Sequence, residues 1–403
     1  MAIVNAPVAA PPSGAPISAS RAATLLRVYY VAVFAALGVF VPFFPSWLEA
    51  RGIRGWELGL VTGVIPLASF FGPLAFGYIA DRYALRAAII RVACGGAVLC
   101  IGVLGLMGGL GLPVSLVTVL LLIAAFAFFR SPLVMVADVS AMETPSNYGR
   151  LRLWGSLGFM AMALIAGQLL EVKSATGLPL FVGLSLFAAF LTAWFMPARA
   201  ARPAGPVYDG VKELLSARRF RLFLLVTFFW FASHSGYDLV IGRHLRDLGG
   251  TGSHVGIAWG IGVTAEIVLM AFSAPLFRRY SAGALFSVGL FGTMLRWLLL
   301  AAAPSLGLAL VLQPLHAISF GLTWLSALAV IQEQAPQSAR ATAQGAFSTA
   351  SALGGSSGAL LWGTLYEAQG GRAVFLVAAG IALLGALTTL RLVGLMRGAR
   401  AAA

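Results

Sequence analysis

Charged residues are scarce in this sequence. They make up 10% of the 403 residues, and apolar residues make up 60%, whereas soluble domains carry about 25% charged residues. So few charges cannot cover the surface of a water-soluble protein, which excludes a soluble domain as the main body of the chain. Cysteine is also scarce: Cys94 and Cys100 fall on one predicted helix, a placement typical of packing residues and not of a disulfide framework or metal site.

Several chemical motifs are missing. The sequence contains no glycine-rich phosphate-binding loop, no nucleophile placed with a base, and no clustered metal ligands. We therefore expect no enzymatic activity, no metal, no cofactor and no direct use of ATP. Uphill movement of a solute would then depend on an ion gradient.

Long apolar runs take the place of these motifs. A helix that spans a bilayer needs about 20 predominantly apolar residues, and twelve stretches of the sequence meet this requirement. We predict an all-α membrane protein, and its spans are 28–48, 58–80, 87–107, 112–139, 153–170, 178–196, 220–241, 255–277, 284–303, 306–331, 341–366 and 373–396.

The two halves of the chain repeat each other. A shift of 197 residues aligns Gly52, Gly59 and Gly63 with Gly249, Gly256 and Gly260. Such parallel repeats indicate two six-helix bundles related by an axis along the membrane normal. The predicted organisation is a disordered cytoplasmic tail (1–27), an N-terminal bundle (28–196), a cytoplasmic linker with an interfacial helix from Val207 (197–219), a C-terminal bundle (220–396) and a second cytoplasmic tail (397–403).

The basic residues are divided among short loops. With a cytoplasmic amino terminus, nineteen of the 27 Lys and Arg residues lie on the inner side, six on the outer side and two within helices. The positive-inside rule then places both termini in the cytoplasm. The net charge of +14 therefore predicts topology in a plasma (inner) membrane and no binding of nucleic acid.

A few ionisable residues lie well inside the predicted spans. Glu266, Arg296 and His316 are 10 to 12 residues from the ends of three successive spans, which puts all three near the bilayer midplane at about 1.5 Å per residue. Such residues cost about 2.5–3.5 kcal/mol each on insertion scales and mark functional sites by default. Our hypothesis is that Glu266 takes up a proton and thereby loosens its hold on Arg296; a buried ion pair that only fixes packing is the alternative.

Two further groups lie inside the spans. His234 and Asp238 are one helical turn apart, with Tyr237 beside them, and could extend the same polar cavity and take part in proton coupling; a packing role for His234 is as plausible. Arg130 lies at mid-depth in the fourth span and is predicted to bind a substrate carboxylate, since a guanidinium stays charged and binds it bidentately; pairing with Asp138 is the alternative.

Charges at the inner ends of the helices are candidates for gating. The loop GYIADRYALR places Asp81 beside Arg82, and the pseudo-equivalent position in the second half holds Arg278. A breakable contact between Asp81 and Arg278 would close the cytoplasmic side in one state. The predicted gating residues are Asp81, Arg82, Arg86, Asp138, Arg150, Arg152, Arg278 and Arg279.

Some of these segments resemble a known family. The loop GYIADRYALR resembles the inner-loop signature of the major facilitator superfamily, and YGRLRLWGSLGF resembles a stretch of its phenylpropionate permease-like branch. The pieces TAEIVLMAFSAPLFRRYSA, LRW and QPLH are similar to that branch in the same order. The arrangement is also similar to the lactose permease-type proton symporters, whose Glu, Arg and His match Glu266, Arg296 and His316, although Ser319 and Phe320 stand where those permeases carry a further acid.

The resemblance implies alternating access and inward proton symport of a small organic solute, with an aromatic carboxylate favoured. The departure at Ser319 and Phe320 leaves the proton carrier open. A monomer is expected. The substrate site is predicted to contain Arg130, Arg296, Tyr237, Trp297, Gln313 and Trp324. The alternatives are a sugar or nucleoside proton symporter, a drug exporter driven by proton antiport, and a membrane sensor or scaffold without flux.

Overall fold

Helices account for nearly all of the chain in a computed structural model that describes residues 19–83, 86–142, 148–172, 177–196, 211–335 and 339–401. The α-helices are α1 (Ala19–Glu49), α2 (Gly55–Tyr83), α3 (Arg86–Gly109), α4 (Leu116–Arg130), α5 (Pro132–Met142), α6 (Tyr148–Val172), α7 (Leu178–Phe195), α8 (Val211–Ser216), α9 (Arg218–Asp247), α10 (Gly252–Ala271), α11 (Ala274–Arg279), α12 (Ala282–Ala302), α13 (Leu306–Val311), α14 (Thr323–Gln334) and α15 (Arg340–Ala401).

Within these residues, eleven helical segments are long and apolar enough to cross a membrane. One of them, in α15, is 55 residues long, or roughly 80 Å at about 1.5 Å per residue, against a hydrocarbon core of about 30 Å. Its backbone leaves the helical region at Gly370, where φ is 75° and ψ is −178°. Gly370 therefore separates two spans, and the total of twelve agrees with the sequence.

Two spans are interrupted. The fourth consists of α4 and α5, which meet at Ser131 because Pro132 begins a new helix. The tenth consists of α13, a 3₁₀ turn (Gln313–Leu315), a π-helix (Ala317–Leu322) and α14. The second interruption carries the site described below.

The spans form two bundles. In the first, α1 packs on α6 and α7, while α4 packs on α2 and α3. In the second, α15 packs on α9 and α12, and α10 packs on the π-helix. The bundles meet chiefly where α2 lies against α15 and α6 lies against α10, with α1 against α9 between them.

The internal repeat is visible in a turn. Gly52 and Gly249, which the sequence repeat pairs, have φ of 80° and 84°. The Gly52 amide donates to the Glu49 carbonyl at 3.0 Å, and the Gly249 amide donates to the Arg246 carbonyl at 2.9 Å. Glycine adopts this left-handed conformation at little cost, so both halves end a helix with the same device.

Some helix ends differ from those expected. α1 begins at Ala19 and not at Val28, because Ala23 and Leu26 already pack in the core with 7% and 2% exposure; residues 1–18 of the expected tail lie outside the described residues. α10 ends at Ala271 and not at Phe277, since Pro275 begins the separate helix α11.

The linker and the carboxyl terminus also differ. The expected interfacial helix corresponds to α8, of which Leu214 is buried and Leu215 exposed; Val207 lies outside the described residues. α9 begins at Arg218, before the expected residue 220, and α15 continues to Ala401, into the expected terminal tail.

Candidate functional site

Arg296 is the centre of a buried polar network in the second bundle. Its side chain is 0% exposed. One terminal nitrogen is 3.0 Å from His316 Nδ1 and donates to Ser319 Oγ at 3.0 Å, and the other donates to Gln313 Oε1 at 3.0 Å. Tyr237 donates to the same Gln313 oxygen at 2.8 Å, and its ring faces the guanidinium at 4.3 Å. Among the described residues, no carboxylate lies within 4.0 Å of Arg296.

His316 links this network to Glu266. Arginine can only donate hydrogen bonds, so His316 Nδ1 accepts from Arg296 and the imidazole proton is on Nε2. Nε2 lies 3.6 Å from Glu266 Oε2. The Glu266 side chain is 20% exposed, and Arg152 of the first bundle acts on it electrostatically. The sequence predicted a direct hold of Glu266 on Arg296; in the structure His316 stands between them.

The π-helix after His316 orients the side chains of Ser319 and Phe320 toward this network. Its wide turn brings Ser319 Oγ to Arg296 and stacks Phe320 on the His316 ring at 5.3 Å. The Ser319 carbonyl accepts hydrogen bonds from Trp230 Nε1 and Thr293 Oγ1, both at 3.1 Å. Single π turns are frequent at functional sites, and here the carbonyl that the turn exposes has partners within the bundle.

Aromatic rings enclose the network. Trp297 stacks on Tyr237 and Phe375 and donates to Ser233 Oγ at 2.7 Å. His234 is 4% exposed, lies 5.2 Å from the Trp297 ring and has no hydrogen-bond partner at either ring nitrogen within the described part of the chain. It packs among these rings and does not line the cavity between the bundles described next, which is the packing alternative that the sequence left open.

A small cavity of about 170 Å³ lies between the two bundles. Arg130 and Asp238 both line it, and neither makes a hydrogen bond or ion pair with a described residue. The Nε atom of Arg130 is buried and unpaired. Asp238 is exposed although it lies deep in α9, because it opens onto this cavity. The remaining lining is mostly apolar: Phe40, Val41, Phe44, Pro45, Thr62, Ile65, Pro66, Ser235, Leu239, Gly355 and Ala359.

Comparison with known proteins identifies the architecture. The family model described as "MFS_1 like family" matches residues 23–377. The chain belongs to the major facilitator superfamily. It is 28% identical to the "Probable 3-phenylpropionic acid transporter" of Escherichia coli (89% of this chain, 94% of the relative) and 29% identical to the "Maltose permease" of Geobacillus stearothermophilus (92% and 94%). Its fold matches the nucleoside transporter NupG with a TM-score of 0.77 at 15% identity (92% and 98%).

The facilitator is therefore a multi-pass membrane transporter, and the resemblance stated from the sequence is confirmed. The fold class and the absence of an enzymatic role are confirmed with it. Twelve helices in two six-helix bundles, with polar groups converging where the bundles meet, are the arrangement that this superfamily uses for transport.

Glycines form two seams between the bundles of this facilitator. On α2, a methyl group at Gly59 would lie 2.5 Å from the Ala359 carbonyl oxygen of α15. On α10, Gly256 meets the Ala163 carbonyl of α6 equally closely. Only residues without a side chain permit this approach. Gly59 and Gly256 are partners in the sequence repeat, so the two halves contribute equivalent glycines to the two seams.

Charged residues join the bundles at one end of these seams. Arg243 of α9 contacts Glu49 of α1 at 3.2 Å and Glu367 of α15 at 2.6 Å. Arg246 donates to Ser46 Oγ at 2.5 Å. We call these five residues the end latch. The end latch was not predicted from the sequence, because these charges were used only to assign loops to one side of the membrane. The glycine turn that follows Glu49 and is repeated after Arg246 could have indicated that these charges lie at the same end of the molecule.

The other end of the molecule is more open. Across the seams, Gly355 of α15 still contacts Pro66 of α2, and Thr264 of α10 still contacts Met160 of α6. Further along α15 toward this end, a side chain added at Gly345 would have nothing within 4 Å among the described residues. The cavity therefore lies beneath a closed end and faces the end at which α2 terminates.

Predicted gating residues lie at this open end. Asp138 accepts a hydrogen bond from Tyr30 at 2.6 Å and lies 3.9 Å from Arg152 Nε, so it pairs with these residues at the open end and not with Arg130. Arg150, Arg278 and Arg279 are exposed. The side chains of Asp81, Arg82 and Arg86 lie outside the part of the structure that is described.

Of the predicted substrate residues, Arg130 lines the cavity. Arg296, Tyr237, Trp297 and Gln313 are buried within the second bundle, with at most 1% exposure. Trp324 is half-buried and stacks on Phe320. Their expected contact with a substrate stays a prediction.

Proposed function

We propose that this transporter imports a small organic carboxylate together with a proton by alternating access. The observation that carries the proposal is the buried cation Arg296, which is held by neutral groups and connected through His316 to a carboxylate. A charged group in the membrane interior is costly and needs a function or a partner. In this proposal the function of Arg296 is to couple proton movement to transport, and the anionic substrate supplies the charge that balances it.

Glu266 is the proton carrier in this proposal. His316 Nδ1 is occupied by the Arg296 donor, so a second proton can reach that ring only if the hydrogen bond breaks. Glu266 has its carboxylate partly exposed and within reach of Nε2. Protonation of Glu266 removes the charge that faces His316 and Arg152, and this change couples the second bundle to the first.

Arg130 is the carboxylate-binding group. Its guanidinium opens onto a cavity between the bundles and has an unpaired Nε. The walls are mostly apolar and the volume of about 170 Å³ is below the range of about 300–1,000 Å³ typical of drug-sized ligands. These properties favour a compact carboxylate with an apolar body over a disaccharide, and the relative named for 3-phenylpropionic acid supports the same class.

The closed end is the outer face in this proposal. The excess of basic residues at the opposite end supports a cytoplasmic position for that end, and with this orientation the structure is an inward-facing state. The end latch then shields the cavity from the outside, and import is completed by release toward the exposed residues of the open end.

The test uses purified protein in liposomes that report internal pH. Addition of 3-phenylpropionate is expected to drive proton entry in the wild type. Glu266→Gln should abolish this proton movement while substrate exchange without a gradient persists, because glutamine keeps the shape but cannot carry the proton. Glu57→Gln, an acid at the start of α2, is the matched control and should behave as wild type.

Two outcomes would contradict the proposal. Proton entry that survives in Glu266→Gln would remove Glu266 as the carrier. Proton entry driven by maltose or nucleosides and not by any carboxylate would replace the substrate class.

A further inference from the structure

The cavity is lined by a carboxylate, that of Asp238, as well as by the Arg130 guanidinium. Asp238 and Arg130 line the same small space, yet they form no ion pair, and no described residue donates a hydrogen bond to the Asp238 carboxylate. The carboxylate is exposed to a mostly apolar cavity and has no hydrogen-bond partner in the described part of the protein, so it is free to accept a hydrogen bond from a bound solute.

We propose that the transported carboxylate carries a hydrogen-bond donor, a hydroxyl or an ammonium group, at the end away from its acid group, and that Asp238 binds this donor. The proposal rests on the proposed function, in which Arg130 holds the substrate carboxylate. It assigns to Asp238 a part in specificity in place of the proton coupling expected from the sequence.

The position of Asp238 supports recognition. It lies on α9 of the second bundle, whereas Arg130 lies on α4 of the first. A compound that satisfies both groups bridges the two bundles. Phe40 and Phe44, stacked at 4.4 Å, line the cavity with Leu239, which suits a planar apolar body between the two polar ends.

The energetics favour a donor. A purely apolar tail would displace water from Asp238 and leave the carboxylate without a partner. Such an unsatisfied charged group costs several times more than a mismatched methylene. We expect discrimination of at least about tenfold between compounds that carry the donor and those that lack it.

The experiment compares four compounds of similar size by calorimetric titration of the purified, full-length protein. These are 3-phenylpropionate, 3-(4-hydroxyphenyl)propionate, 3-[4-(aminomethyl)phenyl]propionate, whose ammonium group lies at the end away from the carboxylate, and 2-phenylethylamine. At least one of the two donor-bearing carboxylates should bind about tenfold more tightly than 3-phenylpropionate. A preference for the phenol identifies a hydroxyl partner, and a preference for the aminomethyl compound identifies an ammonium partner.

Asp238→Asn should reduce this preference to within about threefold, chiefly by weakening the binding of the donor-bearing carboxylates. Asp138→Asn removes an acid that already has partners and should keep the full preference. If Asp238→Asn does not fold, the ranking in the wild type still decides.

Equal affinities of the three carboxylates for the wild type would overturn this inference and leave the proposed function standing. An unchanged preference in Asp238→Asn would do the same. Tightest binding of 2-phenylethylamine, or no binding of any carboxylate, would overturn the proposed function and the inference with it.

Discussion

At the scale of single residues, the geometry of Arg296 decides what a substitution does. Its planar fork donates to His316, Ser319 and Gln313 at the same time, which the single ammonium group of lysine cannot reproduce. Arg296→Lys keeps the charge and should still lower proton-coupled uptake at least about tenfold. Ser319→Ala removes one acceptor and should have a smaller effect, on the order of threefold.

The measurement is initial uptake in liposomes that contain equal amounts of folded protein. Activity of Arg296→Lys close to that of the wild type would show that charge alone is needed, and would remove the hydrogen-bonded fork from the mechanism.

The sequence predicted the depth of Glu266, Arg296 and His316 in the membrane, but it did not predict which of these side chains contact each other. Counting along the spans placed Glu266, Arg296 and His316 near one depth, because the rise per residue of a helix is fixed. Which side chains meet depends on helix rotation, and the π-helix after His316 alters that rotation. Hence the sequence expected Glu266 at Arg296, and the structure has His316 between them. Asp238 was likewise grouped with His234 although the two face different surroundings.

At the scale of elements, the end latch should control access to the cavity. Arg243 is the shared partner of Glu49 on α1 and Glu367 on α15, so Arg243→Gln removes the cation that contacts both acids. Ser235 lines the cavity beneath. A cysteine at position 235 should react several-fold faster with a membrane-impermeant maleimide added outside the cell when Arg243→Gln is present.

The control is Arg54→Gln, which removes an exposed charge at the same end. Cys94 and Cys100 are buried and are replaced beforehand so that only position 235 reports. Labelling that does not change on removal of Arg243 would exclude the latch as a barrier. An increase in labelling on removal of Arg243 that appears only with reagent added from the cytoplasmic side would instead reverse the proposed orientation.

The elements themselves were largely predictable, since twelve apolar runs of sufficient length leave little choice of fold. Their ends were less so. Pro275 ends α10 six residues before the apolar run ends. In the tenth span, Pro314 signals a break in the helix, but it does not indicate that a 3₁₀ turn and a π-helix follow. Hydropathy measures transfer from water, and it does not register how the backbone turns inside the membrane.

At the scale of the whole molecule, the two bundles should move against each other at the glycine seams. A side chain at Gly63 would place its Cβ 3.6 Å from that of Ala359 on the other bundle, within the range of about 3.5–4.5 Å for a disulfide. Oxidation of the double variant Gly63→Cys with Ala359→Cys should lock the bundles together. Uptake should fall to about a tenth of its value, because a disulfide bond prevents the seam from opening.

Reduction should restore transport, and each single cysteine variant should be unaffected by the oxidant. The comparison is between oxidised and reduced protein in the same liposomes, so a general loss of folding is separated from locking. Full transport in a protein shown to be completely cross-linked would mean that the seam between α2 and α15 does not open during the cycle.

The seams also bear on how such a transporter could diversify. Their closest contacts, at Gly59 and Gly256, are made by backbone atoms, while the cavity is defined by side chains such as Arg130 and Asp238. Substitutions in the cavity can therefore alter the cargo while the surfaces that slide during the cycle stay the same. Related transporters can thus keep the same contacts between the two bundles and still carry chemically different solutes.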